Sequence, residues 1–342
     1  MTSKGEAFPG SVLSGGAACN GETRRGEAFP ASIPSSRPAC NGKRVNGSHL
    51  CGNASPLHLH PGVRPPISIT TGAFYVYPLR AAFRLIADAG LDTVELVAGP
   101  ELWARGCGYV RGAAREHGIR VLTVHPPILP FPGWKDIPAN LQRMAQIALA
   151  VGAEVLCIHP PDAPTLDCTL SRRFVDALES TLRSLEGTGT KLALENLAHF
   201  SRTDARLWWH DPAHLLALAE EMDLPLVLDT AHADSTPLGV NGVYEMFRGR
   251  IANVHLSDVR RPSGLVQTKY LQTLAKHHQI PGEGDLPLQA LIVDLLARSY
   301  AGPLTLELSP IALAIWSPRE ARKRLARARE WTERALRTEG DR

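Results

Sequence analysis

No stretch of this 342-residue chain approaches the roughly 18 consecutive apolar residues that a membrane helix needs, so a helical span is excluded. Cysteine is scarce and unpaired in its spacing. Cys19, Cys40 and Cys51 fall in the first 62 residues, while Cys107, Cys157 and Cys168 are scattered without a CxxC. Neither a disulfide framework nor a Cys-rich zinc knot is legible, and reduced thiols in a cytoplasm fit the pattern. Surplus charge is missing too. The net +3 misleads, because residues 1–62 carry six Lys/Arg against three Asp/Glu, leaving 31 of each sign in residues 63–342. A neutral body lacks the basic footprint of a nucleic-acid binder.

The first 62 residues repeat themselves. KGEAFPGSVLSGGAACNG at 4–21 returns as RGEAFPASIPSSRPACNG at 25–42. Both copies are rich in Gly, Pro and Ser and lack apolar periodicity, so they cannot bury enough surface to offset the backbone entropy of ordering. The expectation is a disordered extension over 1–62 and a single folded domain over 63–342. The extension also lacks the charged start and continuous apolar core of a secretion signal.

Beyond it, strand-like and helix-like patterns alternate. Strands are expected at 67–74, 93–99, 120–127, 154–161, 191–197, 225–234, 250–259 and 303–310, with helices at 78–90, 101–117, 138–151, 169–186 and 318–337 among the intervening segments. Eight strands alternating with helices over about 275 residues predict an α/β fold, a (β/α)8 TIM barrel. The basic helix 318–337 is expected to close the ring with its charges in solvent.

The informative feature is where the apolar runs stop. VLTVH ends at His125, VLCIH at His159, LALE at Glu195, LVLD at Asp229, ANVH at His255 and LTLE at Glu307. A parallel barrel keeps its active site at the carboxyl ends of its strands, so these six side chains are expected to converge on one mouth. His, Asp and Glu gathered there point to a divalent-metal site. Cys157, within VLCIH, reads as a small buried hydrophobe rather than a ligand.

Glu195-Asn196, Asp229-Thr-Ala-His232, His255-Leu-Ser-Asp258, His278 before the Gly282-Glu283-Gly284 turn, and Glu307 together resemble the xylose isomerase-like barrel superfamily, which holds sugar isomerases and epimerases together with endonuclease IV. The resemblance covers about residues 67–337. It implies that Glu195, Asp229, His255 and Glu307 hold one divalent metal, and this donor set suits manganese, magnesium, cobalt or zinc. It further implies a sugar, sugar phosphate or polyol isomerase or epimerase that works through an enediolate, with Glu195 and Glu307 as the acid/base pair on the two faces of the carbon chain. The expected partner is a small carbohydrate, with neither nucleic acid nor membrane, and a homo-oligomer is left open.

The same resemblance carries a rival. Endonuclease IV-like proteins add histidines to build a multi-zinc phosphodiesterase that acts on abasic DNA, and His125, His159, His232 and His278 stand where such additional metal or substrate contacts would be. Against it, the nuclease pattern has an Asp two residues before the histidine that precedes the Gly-x-Gly turn, and here Lys276 stands there; a lysine ammonium has no lone pair for a metal. Arg261, six residues after His255, is the candidate substrate-binding arginine. Asp258 is expected either to orient His255 or to pair with Arg260 or Arg261. The face of Glu95 is left open by so short a strand. Phe74, Trp134, Phe200 and Trp316 follow strand ends, where they would either wall a sugar or cap the core.

Overall fold

The computed structural model describes residues 64–128, 136–260 and 276–337. The expected disordered extension over 1–62 and its boundary with the folded domain lie outside the described residues, as do Trp134 and Arg261.

Eight short strands form one closed, all-parallel barrel in sequence order. They are β1 Ile67–Thr70, β2 Thr93–Val97, β3 Arg120–His125, β4 Val155–Ile158, β5 Lys191–Glu195, β6 Leu226–Asp229, β7 Ile251–Leu256 and β8 Leu304–Leu306. The expected TIM barrel is therefore what the chain forms. The described helices are α1 Leu79–Asp88, α2 Pro100–Glu116, α3 Ile137–Val151, α4 Thr169–Leu185, α5 Pro212–Glu221, α6 Thr230–Asp234, α7 Gly239–Phe247, α8 Leu288–Ala297, α9 Pro310–Leu313 and α10 Pro318–Ala335. None is long and apolar enough to cross a membrane.

The strands run apolar because both faces are covered. Outward residues such as Ile69, Val94, Leu156, Leu194, Leu228 and Val254 join the layer beneath the helices. Inside the barrel a separate small cluster of Val155, Cys157, Ala193, Val227 and Ala252 sits low in the lumen. Helix α10 begins at the Ser317 cap with Pro318 in its first turn, and buries Ala321, Leu325, Ala328, Thr332 and Ala335. Those positions form one face at helical spacing, which packs on α1 and β1, so the basic run indeed faces away from the core.

Two expected strands stop early for the same local reason. The 67–74 run is a strand only to Thr70, whose hydroxyl accepts from the Gly72 N–H and starts a 3-10 turn over Thr71–Phe74. The 225–234 run ends at Asp229, whose carboxylate accepts from the His232 N–H at 2.6 Å and caps α6. A side-chain cap offers the backbone a partner that competes with the sheet ladder, and strand propensity carries no trace of it.

One carboxylate holds the loop after β7. Asp258, 1% exposed, accepts from the backbone N–H groups of Val259, Gly282, Gly284 and Leu286 at 2.9–3.0 Å. This corrects the expected role of Asp258: it binds backbone, and Arg260 pairs with Glu283 instead. Gly284 lies so close that an added Cβ would stand 2.3 Å from Asp258 Oδ1 and 2.5 Å from the Val259 carbonyl oxygen. Gly284→Ala is expected to destabilise the chain by about 1–3 kcal/mol through overpacking, read as a lower urea midpoint with an unchanged slope.

Candidate metal centre

Each ligand-type side chain occupies the last or, for His255, the next-to-last position of its strand or the residue just beyond, and alternation turns it into the lumen. Glu195, Asp229 and His255 are 0% exposed, and Glu307 keeps an edge toward the mouth with 18% of its side chain exposed. His255 Nδ1 stands 2.8 Å from Glu307 Oε2, 3.2 Å from Glu195 Oε1 and 3.9 Å from Asp229 Oδ2. The structure thus brings together the four residues expected as the metal shell.

Four atoms there, Glu195 Oε1, Asp229 Oδ2, His255 Nδ1 and Glu307 Oε2, are buried and make no hydrogen bond. Their contacts are close but lack hydrogen-bond geometry. Such orphans are costly in a protein interior, and these converge on one point. Three carboxylates and an imidazole nitrogen facing a shared centre fit a divalent cation.

The electrostatics agree. Burial pushes the Asp229 carboxyl well above its ordinary range, and Glu307 and Glu195 add to the rise against the opposing pull of His232. Burial would raise Glu195 as well, but the imidazoles of His255 and His159 outweigh it and hold that carboxyl well below the usual range. Glu307 behaves alike, with His255 overcoming desolvation. Crowded carboxylates cannot all ionise unaided, and a cation at their centre would remove the conflict.

Glu95 sets the ring of His255. It is 1% exposed and turned into the lumen, and its Oε2 lies 3.0 Å from His255 Nε2 while also accepting from Thr123 Oγ1 at 2.9 Å. With Nε2–H donated to Glu95, the lone pair of His255 is left on Nδ1, facing the centre. Glu95 therefore does what Asp258 was expected to do. Alternation contained the signal: Glu95 pairs in register with Thr123, two residues before His125 and so on the same face. Glu95→Gln is expected to weaken binding of the metal by about 10- to 100-fold while leaving the fold intact, as a calorimetric titration of the chelator-stripped chain would show.

His125 and His159 close on Glu195 from its other side. His125 Nδ1 donates to the Pro126 carbonyl at 2.7 Å, and its Nε2 lies 3.2 Å from His159 Nε2 and 3.6 Å from Glu195 Oε2. His159 Nε2 is 3.0 Å from the same oxygen. Burial would lower His125, yet the Glu195 carboxylate beside it and the charges of Glu95 and Glu307 raise it to about 9. The Cys157 thiol donates to Glu195 Oε2 at 2.8 Å, so the residue is fully buried as expected but not an inert hydrophobe. Burial, then Glu195, push that thiol well up.

His232 and His278 flank Asp229 at a third corner. His232 Nδ1 donates to the Asn196 carbonyl at 3.0 Å, and the ring meets His278 edge-on at 5.5 Å. Desolvation opposes the charge of His232, but Asp229 and Glu195 raise it to about 10. His278 has φ of 55°, in the left-handed region, a conformation held by its carbonyl accepting from the Ser309 N–H at 2.7 Å. Of the aromatics, Phe74 is core, Phe200 stands 6.1 Å from the His232 ring, and Trp316 is 73% exposed.

Two concavities at the opposite end of the barrel, of about 840 Å3 beside Lys191, Asp223 and Arg250 and of about 440 Å3 beside Arg64, Asp92 and Arg329, hold no histidine or cysteine. Among the described residues, the groups that could hold a metal ion all lie at the carboxyl-end mouth.

Residues 83–335 match the family described as xylose isomerase-like TIM barrel. An uncharacterized protein of Mycobacterium leprae is 28% identical over 282 residues, covering 75% of this chain and 94% of that protein. Fructoselysine 3-epimerase of Escherichia coli O157:H7 is 23% identical over 254 residues, covering 68% of this chain and 86% of the enzyme. Among solved structures, the apo 3-keto-D-glucoside 4-epimerase of E. coli superposes with a TM-score of 0.58 at 19% identity, over 78% of this chain and all of that one. A family 2 AP endonuclease of Brucella melitensis superposes at 0.56 and 17% identity, over 72% of this chain and 93% of the other. At these identities the two structures attest the fold alone.

Proposed function

The chain belongs to the xylose isomerase-like TIM barrel family, and from that premise we propose that it is a divalent-metal-dependent isomerase or epimerase of a sugar, sugar phosphate or polyol. The single observation that carries the reading is the convergence of four buried, hydrogen-bond-free ligand atoms from Glu195, Asp229, His255 and Glu307. The fructoselysine 3-epimerase relative adds support, since it covers most of both chains.

Glu195, Asp229, His255 and Glu307 would hold the metal, manganese, magnesium, cobalt or zinc, which would supply Lewis-acid stabilisation of the negative charge that develops when a carbon-bound proton leaves. The rest falls to the chain. Glu195 and Glu307 approach His255 Nδ1 at 3.2 Å and 2.8 Å from separate strands, β5 and the end of β8, and so flank the place where a carbon chain would lie. Both carboxyls are held well below their ordinary range, which keeps them in the form that accepts a proton. One takes the proton from carbon on one face, and the other delivers a proton to the opposite face after receiving it from solvent or a substrate hydroxyl. His232 and Phe200 stand at the rim, where they would meet the substrate.

A second reading, a multi-zinc phosphodiesterase acting on abasic DNA, draws on the closeness of His125, His159 and Glu195. It is weakened where Asp229, His232 and His278 gather without a further carboxylate, since Lys276 holds the position the nuclease pattern gives to Asp. The test is a panel of free ketoses and their phosphates incubated with the metal-loaded chain in deuterated water. Exchange of a carbon-bound hydrogen is expected for at least one of them. Cleavage of an abasic duplex with no exchange on any sugar would replace this reading with the second.

A further inference from the structure

Glu195, Asp229, His255 and Glu307 stand at the carboxyl ends of four consecutive strands, β5 to β8, where the sheet runs out. Between β5 and β6 the backbone ladder ends weakly, with the Asn196 N–H 3.5 Å from the Val227 carbonyl. Buried carboxylates crowded onto neighbouring strand tips repel one another, and tips without ladder bonds are free to part.

The residue that follows each ligand supplies the missing hold. Asn196, after Glu195, is 1% exposed, and its side-chain amide engages both backbone groups of Asp229. Its Oδ1 accepts from the Asp229 N–H at 2.8 Å, and its Nδ2 donates to the Asp229 carbonyl at 3.1 Å. An amide carries an acceptor beside a donor, as a peptide group does, and so continues the ladder where the backbone leaves it. Thr230, after Asp229, is fully buried. Its hydroxyl lies 2.7 Å from the Ser257 carbonyl oxygen and 3.1 Å from that of His255, and it accepts from the Ser257 N–H at 3.0 Å. At the last step the backbone suffices, because the carbonyl of Leu256, after His255, accepts from the Glu307 N–H at 3.3 Å. From β5 round to β8, each ligand's successor holds the backbone at the next ligand.

Helix capping does not account for Thr230, since Asp229 Oδ1 already caps α6. Nor does packing, which a valine of the same shape would serve. We propose that Asn196 and Thr230 are positioning residues of the metal centre, which fix Asp229 against Glu195 and His255 against Asp229 before an ion arrives. The inference rests on the reading of the mouth as a divalent-metal site, but not on which of the two reactions takes place there. Its basis is preorganisation: ligands already held in place need no ordering when the ion binds, and the affinity rises accordingly.

Calorimetric titration of the chelator-stripped full chain with manganese(II) tests this without reference to activity, at a temperature where circular dichroism shows every variant folded. Asn196→Ala and Thr230→Val are each expected to weaken binding by about 10- to 100-fold. Thr230→Ser, which keeps the hydroxyl, should bind as the wild type does. Variants that melt earlier yet bind manganese with wild-type affinity would show that the bonds serve only the fold, and would overturn the proposal while leaving the centre standing. Failure of the wild type to bind manganese would overturn both. A measurement on the wild type alone decides even if the variants do not fold. The Asp229 and Ser257 amides, held by Asn196 Oδ1 and Thr230 Oγ1, should resist hydrogen exchange in the stripped chain. Free exchange that is halted only by adding metal would mean that the ion orders these contacts, and would overturn the proposal.

Discussion

Asp229→Ala is expected to abolish both tight divalent-metal binding at the carboxylate-rich centre and all turnover, while the barrel remains folded. The two halves of that outcome come from the two oxygens. Oδ1 caps α6 through the His232 N–H, and losing a cap costs about 0.5–2 kcal/mol. Against this, the substitution removes a fully buried carboxyl that desolvation and the charges of Glu307 and Glu195 disfavour, which offsets part of the loss. The fold should therefore survive. Oδ2, by contrast, is a buried atom without a hydrogen-bond partner, and its deletion leaves the centre a ligand short. Circular dichroism melting and elemental analysis on the same sample separate the two effects. Full metal occupancy in the variant would remove Asp229 from the centre.

Glu307→Gln should produce the second large effect, a split between binding and chemistry. The amide keeps the shape and one oxygen donor, so the metal is retained with weakened affinity. It cannot accept a proton from carbon, and solvent-hydrogen exchange on the substrate should fall by roughly 10²–10⁴-fold, the usual contribution of a positioned general base. Glu307 is the better choice than Glu195 for this experiment, because Glu195 also contacts His125, His159 and Cys157 and its loss would disturb several groups at once. Exchange at the wild-type rate would show that Glu307 takes no part in moving the proton.

The barrel was legible because apolar runs of strand length alternate with helical periodicity, and the six strand-end ligand types marked its carboxyl face. Burial on both sides dictates that pattern, so the order of apolar and polar residues carries it. What the pattern could not carry was the inner shell. Glu95 and Cys157 sit two residues below the rim on the lumen face, and their importance depends on what other strands bring to them: His255, some 160 positions from Glu95 in sequence, and Glu195 on the neighbouring strand, 38 from Cys157. No local window contains that pairing. Asp258 illustrates the opposite limit. Its spacing after His255 suggested a bond to the ring, yet four backbone N–H groups of its own loop offered a fuller set of partners for a buried carboxylate. Strand ends were misplaced at Thr70 and Asp229 because side-chain caps act over two or three residues and leave hydropathy unchanged.

The clasp at Asp258 also bears on how much the length of the chain beside it matters. Asp258 and Gln279 exchange backbone hydrogen bonds at 2.9 Å, and the Arg260 N–H reaches the Lys276 carbonyl, so the excursion between those positions is stapled at its base. Closure entropy grows only slowly with length, about 0.6 kcal/mol for each doubling. A change of length between Arg260 and Lys276 would therefore cost little so long as the clasp itself is kept. The reach of the clasp is thus set by backbone groups of Asp258, Arg260, Lys276 and Gln279, none of which depends on side-chain identity between residues 260 and 276.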